Sequence, residues 1–149
     1  MFDLRPAAYV IGLMVMALGG TMVLPMAMDI YDGNGEWWVF GLSAILTGLS
    51  GGLVSLACSN ASSKGLNIQQ TFVLTAGVWV VLPVFGALPF WIGATDARVV
   101  DGFFEAMSAL TTTGSTVFSG LSDLPRGLLL WRGLMQWFGG IGIIVVAMV

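Results

Sequence analysis

The residues of this sequence that could do chemistry together are a run of hydroxyl side chains, Thr111 to Thr116, interrupted by a single glycine, Gly114. Backbone carbonyl oxygens and threonine hydroxyls can replace the hydration shell of a monovalent cation. Glycine adopts a positive φ at little cost, so it can turn consecutive carbonyl groups toward one axis. The run therefore predicts an ion-binding strand with Gly114 as its backbone pivot. The plainer interpretation is a surface loop whose hydroxyls cap a helix.

The sequence offers little material for any other kind of reactive site. It has no histidine, and its one cysteine, Cys58, lies at the end of an apolar run. A metal centre or a nucleophilic catalytic site needs His, Cys or carboxylate side chains in clusters. We therefore expect neither an enzyme nor an organic cofactor. A net charge of −3 is too small to indicate nucleic-acid binding.

The elements that must position the hydroxyl run are apolar helices. Hydrophobic residues make up 57% of the chain and charged residues only 9%, against about 25% charged residues in ordinary soluble domains. A helix of about 22 uncharged residues rises about 33 Å, which is enough to cross a hydrocarbon core of about 30 Å. The sequence therefore predicts membrane spans at about 7–28, 37–58 and 71–92, the third with a kink or an early end near Pro89.

The segment just before the hydroxyl run is too short to cross a membrane. A helix over 102–110 would rise only about 14 Å, with Asp101 as its N-cap. A second polar boundary follows at Asp123 and Arg126, so 102–126 is predicted to enter and leave the bilayer on the same side. The carboxyl end of the short helix carries a partial negative charge, which favours a cation. We also expect an acidic vestibule around this hairpin, formed by Asp96, Asp101, Glu105 and Asp123.

A fourth span is expected to begin near Leu128 and to continue to the end of the sequence. Arg126 and Arg132 are expected to extend to the membrane interface, and Trp131 and Trp137 to serve as interface or packing aromatics. The predicted fold class is an all-α membrane protein with about four transmembrane helices plus one re-entrant pore helix and filter loop. In the second span, small residues recur every fourth position and predict a close helix contact: Ala44, Gly48 and Gly52.

The carboxyl-terminal part of the sequence resembles the first membrane–pore–membrane repeat of the Trk/Ktr/HKT potassium transporter superfamily, and is most similar to TrkH-type subunits. The resemblance rests on FFEAMSALTTTGST, followed at close spacing by LPRGLLLWR and QWFGGIGI. It covers about 71–149, while the first two spans resemble the extra helix pair that precedes the repeats. The expected domains are two extra amino-terminal transmembrane helices in 1–64 and the first repeat in 65–149, with its last span apparently truncated.

The resemblance implies potassium uptake through a pore built from four such repeats in one chain. In that case 102–110 is the pore helix, and the potassium ion passes along one filter strand formed by Thr111, Thr112, Thr113, Gly114 and Ser115. The resemblance further implies a homodimer, a cytosolic nucleotide-binding regulatory ring, and a bacterial inner-membrane protein whose amino terminus is cytoplasmic. The basic residues do not decide that orientation, since Arg5 and Lys64 would oppose three arginines on the other side.

The sequence departs from the superfamily in having one filter segment and no later gating loop. We therefore expect an amino-terminal piece of a longer transporter, in contact with membrane lipid and with the remaining repeats. Two alternatives stay open. Four copies of the chain could assemble as a homotetrameric cation channel, or the chain could be a non-transporting membrane assembly module.

Overall fold

The computed structural model describes residues 4–61, 66–93, 95 and 97–148. Lys64 and Asp96, which entered the expectations about charge, lie outside this part of the chain. The described residues form seven α-helices and two short 3-10 turns. The helices are α1 (Arg5–Thr21), α2 (Val23–Tyr31), α3 (Trp37–Cys58), α4 (Ile68–Gly86), α5 (Leu88–Ile92), α6 (Val99–Leu110) and α7 (Arg126–Met148).

Three segments of the described chain are long and apolar enough to cross a membrane. They are Arg5–Tyr31, which comprises α1 and α2, Trp37–Cys58, which is α3, and Ile68–Ile92, which comprises α4 and α5. The last helix, α7, has 23 residues and rises about 34 Å, also the length of a span. The expected all-α membrane fold is therefore confirmed.

The third span breaks where proline was expected to break it. Pro83 lies inside α4, the helix ends at Gly86, and α5 starts with Pro89 in its first turn. Proline is tolerated in the first turn of a helix because the amide there has no helical partner. The carbonyl of Gly86 accepts a hydrogen bond from the indole Nε1–H of Trp131, at 2.9 Å. Trp131 is fully buried, so it packs in the core and also provides a hydrogen-bond donor for the Gly86 carbonyl at the end of α4.

Helices α1 and α3 pack with their backbones in direct contact, as the small residues of the second span predicted. A Cβ placed at Gly19 would lie 2.8 Å from the backbone nitrogen of Gly48 and 3.1 Å from the carbonyl oxygen of Ala44. Atoms at these distances leave no room for a side chain. The expectation for Ala44 and Gly48 is therefore confirmed.

The expectation for Gly52 was wrong, because the next close contact is made by its neighbour. A Cβ at Gly51 would lie 2.5 Å from the backbone nitrogen of Met16, whereas one at Gly52 would meet only the Met16 sulfur, at 3.9 Å. A strict four-residue spacing drifts off the contact line, because the helix repeats every 3.6 residues. The contact therefore passes from Gly48 to Gly51.

Helix α6 packs between α4 and α7 and does not cross the bundle. Its first residues lie against α5, where the indole Nε1–H of Trp91 donates to the carbonyl of Val99 at 3.0 Å. The chain returns to the same end of the bundle, since the amide of Gly127, at the start of α7, donates to Asp29, at the end of the first span, at 3.0 Å. The expected re-entrant hairpin is confirmed.

Candidate functional site

The short helix α6, the predicted pore helix, ends about halfway along α7. The carbonyl group of its last residue, Leu110, lies directly against Gly139, with no space for a Cβ between them. Gly139 is near the midpoint of α7, which runs from Arg126 to Met148. The hydroxyl run therefore starts about halfway along the length of α7.

The amide groups that follow α6 turn back to the end of the helix. The N–H of Thr112 donates to the carbonyl of Ala109 at 3.0 Å, and those of Thr113 and Gly114 converge on the carbonyl of Ser108 at 3.0 and 3.4 Å. Helix ends leave carbonyl groups without helical partners. Here the backbone amides of Thr112, Thr113 and Gly114 donate hydrogen bonds to those carbonyl groups.

The backbone of the run alternates in handedness. The φ angle is −80° at Thr111, 57° at Thr112 and 76° at Gly114, while Thr113 is not in the positive region. Gly114 adopts its conformation without cost, but a β-branched residue such as Thr112 is strained there. Such alternation turns N–H groups to one side and carbonyl groups to the other.

The carbonyl groups of residues 111–114 accept no hydrogen bond from any residue that the structure describes. Thr112, Thr113 and Gly114 are exposed on the surface of the chain. Ser115 differs, because its carbonyl accepts a hydrogen bond from the hydroxyl of Ser108 at 2.6 Å. Of the five predicted filter residues, four have carbonyl groups with no partner in the described part of the chain, and the carbonyl of the fifth is hydrogen-bonded to α6.

This arrangement favours a cation over an anion. Alternating backbones of this type bind anions when their converging N–H groups are free, but the carbonyl of Ser108 already occupies that position. Within residues 111–114, the backbone groups left without a partner among the described residues are therefore carbonyl oxygens. The carboxyl end of α6 adds the negative end of the helix dipole. The hydroxyl of Thr111 donates to the carbonyl of Met107 at 2.8 Å and lies 2.9 Å from that of Thr113.

Glu105 lies behind the strand, and the expectation that it forms part of an acidic vestibule was wrong. Its side chain is completely buried. One carboxylate oxygen, Oε1, accepts hydrogen bonds from the Thr116 hydroxyl and from the Val117 amide, the latter at 2.7 Å. The other, Oε2, lies 3.0 Å from Nε of Arg132, whose side chain is only 14% exposed.

The expectation that Arg132 extends to the interface was therefore also wrong. A buried carboxylate needs a partner of opposite charge, and Arg132 on α7 faces Glu105 on α6. The Nε–H does not point along the line to Oε2, so the contact is an ion pair rather than a directed hydrogen bond. The sequence did contain a signal for this ion pair, since one acidic and one basic residue lie in apolar helices that follow each other along the chain. Such residues usually pair inside membranes.

The other acidic residues have separate roles. Asp101 is not the N-cap of α6, because the helix begins at Val99 with Arg98 as its N-cap. Asp101 instead accepts two hydrogen bonds from the Arg98 guanidinium, at 2.9 and 3.2 Å, and this contact lowers the pKa of the Asp101 carboxyl. Asp123 is exposed.

Asp29 makes a buried structural contact that sequence reasoning missed. Its carboxylate lies in α2, 1% exposed, and accepts a hydrogen bond from the amide of Gly127. The first amides of a helix have no helical partner, and an acidic side chain there also interacts well with the helix dipole. Asp29 therefore caps α7 from the first span. Next to it, Arg126 is 71% exposed and lies 3.5 Å from Asp32, which agrees with its expected place at the interface.

Known proteins of one kind share this architecture. The family described as "TrkH: Cation transport protein" matches residues 41–149. The Trk system potassium uptake protein TrkI of Halomonas elongata is 38% identical over 95% of the chain, and TrkH of Salmonella typhimurium is 38% identical over 96%. The crystal structure of the potassium transporter TrkH from Vibrio parahaemolyticus superposes with a TM-score of 0.92, at 33% identity over 99% of the chain.

The chain spans only part of these relatives. It covers 28% of the Halomonas protein, 30% of the Salmonella protein and 31% of the Vibrio chain. The family match, in contrast, extends over most of the present chain. The family is one of transporters and not of enzymes, and this chain belongs to it: it is a member of the TrkH cation transport family.

Proposed function

We propose that this chain contributes one selectivity-filter strand, Thr111–Ser115, to a pathway for potassium uptake. The observation that carries the proposal is the set of carbonyl groups at residues 111–114, which have no partner among the described residues, while the amides of the same four residues all donate to carbonyl groups of α6. An ion that sheds its water needs a row of such oxygens. No covalent chemistry is required.

Potassium as the transported ion is supported by the relatives, two of which are named as potassium uptake proteins and one as a potassium transporter. The site itself supports a monovalent cation. Its free ligands are neutral oxygens, and a pore must bind its ion weakly enough to release it.

Further repeats are proposed to complete the site. Non-helical backbone at membrane depth is tolerated only where protein buries it or where it lines a watery cavity. Residues 112–117 are exposed on this chain, so the other wall must come from elsewhere. We propose that 65–149 is the first repeat of a pore of four repeats, with 1–64 as an extra helix pair that packs against it.

The remaining partners follow from the same family membership and are part of the proposal. They are a homodimer in the bacterial inner membrane, a cytoplasmic amino terminus, and a cytosolic nucleotide-binding ring that regulates transport. The helices α1, α2 and α3 support the membrane location alone, because they are long and apolar enough to cross a bilayer.

The test is a substitution at the pivot, Gly114→Ser, in the full-length product of the gene that encodes this chain. Uptake of potassium and sodium would be measured in cells that lack other potassium uptake systems. A side chain at a φ of 76° forces the backbone to change, so the preference for potassium should fall sharply.

Gly33→Ser is the matched control. Gly33 has a φ of 69° and nothing within 4 Å of the position of a Cβ, but it lies in the connection between α2 and α3. It should carry the same backbone strain with no effect on selectivity. Unchanged selectivity in Gly114→Ser protein that reaches the membrane would overturn the proposal and favour a non-transporting assembly module.

A further inference from the structure

We propose that Glu105 is a positioning residue for ion selection, which acts with Ser108 to hold the strand that follows Gly114. This inference rests on the proposed function of the strand. The two side chains lie one turn apart on α6 and contact three consecutive residues, Ser115, Thr116 and Val117.

The contacts divide the strand into a free part and a held part. Up to Gly114 the carbonyl groups have no partner among the described residues. From Ser115 to Val117 each residue is bonded to α6: the carbonyl of Ser115 accepts from the Ser108 hydroxyl, and the Thr116 hydroxyl and Val117 amide donate to Glu105. A strand attached at α6 on both sides of residues 112–114 can keep its free oxygens at fixed separations.

The charge on Glu105 makes these bonds strong. Hydrogen bonds to an ionised acceptor are about twice as strong as neutral ones. The cost is a carboxylate removed from water, and Arg132 compensates for it from α7 at 3.0 Å. The same residue pair therefore connects the filter strand, the pore helix and the following span, so that a shift of α7 would be transmitted to the strand.

A purely structural ion pair predicts a different outcome from a positioning residue. Replacing a buried ion pair by apolar residues of similar volume is often neutral for stability or favourable. The double variant Glu105→Met with Arg132→Met should therefore reach the membrane in normal amounts. It retains no acceptor for Thr116 or Val117, and we expect its ratio of potassium to sodium uptake to fall about tenfold, the effect of losing one or two hydrogen bonds.

Two further variants probe the strand side without leaving a charge unpaired. Thr116→Val keeps the size of the side chain and removes its hydrogen bond to Glu105, and Ser108→Ala removes the bond to the Ser115 carbonyl. Each should lower the uptake ratio about fivefold. Glu105→Gln, which retains an acceptor oxygen, should keep more selectivity than the double variant.

Asp101→Asn is the matched control, because it removes the same charge from the same helix. Asp101 contacts Arg98 and no residue of the strand, so its variant should retain the wild-type uptake ratio. Wild-type ratios in the double variant and in Thr116→Val, in protein that is present in the membrane, would overturn the inference. If Gly114→Ser alters selectivity while these variants do not, the proposed function stands and only the role of Glu105 fails.

Discussion

The carbonyl oxygen of Leu110 lies against the Cα of Gly139, so closely that a single methyl group would not fit between α6 and α7. This contact sets the depth at which α6 ends. Because the candidate filter strand begins at the next residue, the contact also sets the depth of the strand within the bundle.

Gly139→Ala should therefore destabilise the protein. The new methyl group would overlap the backbone of Leu110, and overpacking of this kind typically costs about 1–3 kcal/mol, with a rigid backbone at the upper end. Thermal unfolding of the purified protein in detergent measures the effect. Gly140→Ala is the control, since nothing lies within 4 Å of a Cβ at that position. Equal unfolding temperatures for the two variants would contradict the described contact.

The amino end of α7 is expected to depend on Asp29. Asp29→Ala removes the carboxylate that accepts a hydrogen bond from Gly127, and loss of a helix cap costs about 0.5–2 kcal/mol. The same assay on Asp32→Ala provides the comparison. Asp32 meets Arg126 at 3.5 Å in an exposed ion pair, and such pairs contribute about 0–1 kcal/mol. A larger loss for Asp32→Ala than for Asp29→Ala would show that Asp29 is not the cap.

The two parts of the site differ in how far the sequence could predict them. The spans and the short helix could be predicted because they follow from local runs of apolar residues and from helix length. The pivot at Gly114 could be predicted because only glycine adopts positive φ freely. The positive φ of Thr112 could not, since β-branched residues avoid that region. It arises because the amides of residues 112–114 turn back to the end of α6.

The contacts behind the strand depend on packing between distant segments. Glu105 and Arg132 face each other only because α6 lies against α7, and Asp29 meets Gly127 across most of the chain. A sequence contains several acidic and basic residues, and their signs alone do not select the pairs. Ionisable residues inside a membrane usually pair with one another, and this rule would have predicted an ion pair for Glu105 instead of a place in an acidic vestibule. The rule does not identify which arginine is the partner.

The break between α4 and α5 should be sensitive to Trp131. Trp131→Phe retains most of the buried ring and removes the indole N–H that donates to the carbonyl of Gly86. A buried carbonyl left without a partner costs about 1–3 kcal/mol. Trp137→Phe serves as the reference in the same unfolding measurement, because Trp137 is 63% exposed. The hydrogen bond would have no measurable role if both variants unfolded like the wild type.

The contact between α1 and α3 gives a prediction in which two adjacent glycines should differ. Gly51→Ala would place a methyl group 2.5 Å from the backbone nitrogen of Met16, whereas Gly52→Ala would meet only the flexible Met16 sulfur, at 3.9 Å. Membrane helices associate largely through close packing of small residues. Gly51→Ala should therefore separate the first two spans.

The separation can be measured by cysteine cross-linking of α1 to α3, after Cys58 has been replaced by serine. We expect the Gly51→Ala variant to cross-link more slowly than the wild type. It should also unfold at a lower temperature, because overpacking typically lowers the free energy of unfolding by about 1–3 kcal/mol. Gly52→Ala should match the wild type in both measurements, because its methyl group would make only an ordinary van der Waals contact with the Met16 sulfur. If Gly52→Ala were the more disruptive change, the close contact would follow the four-residue spacing of Ala44, Gly48 and Gly52, and the described register of the two helices would be incorrect.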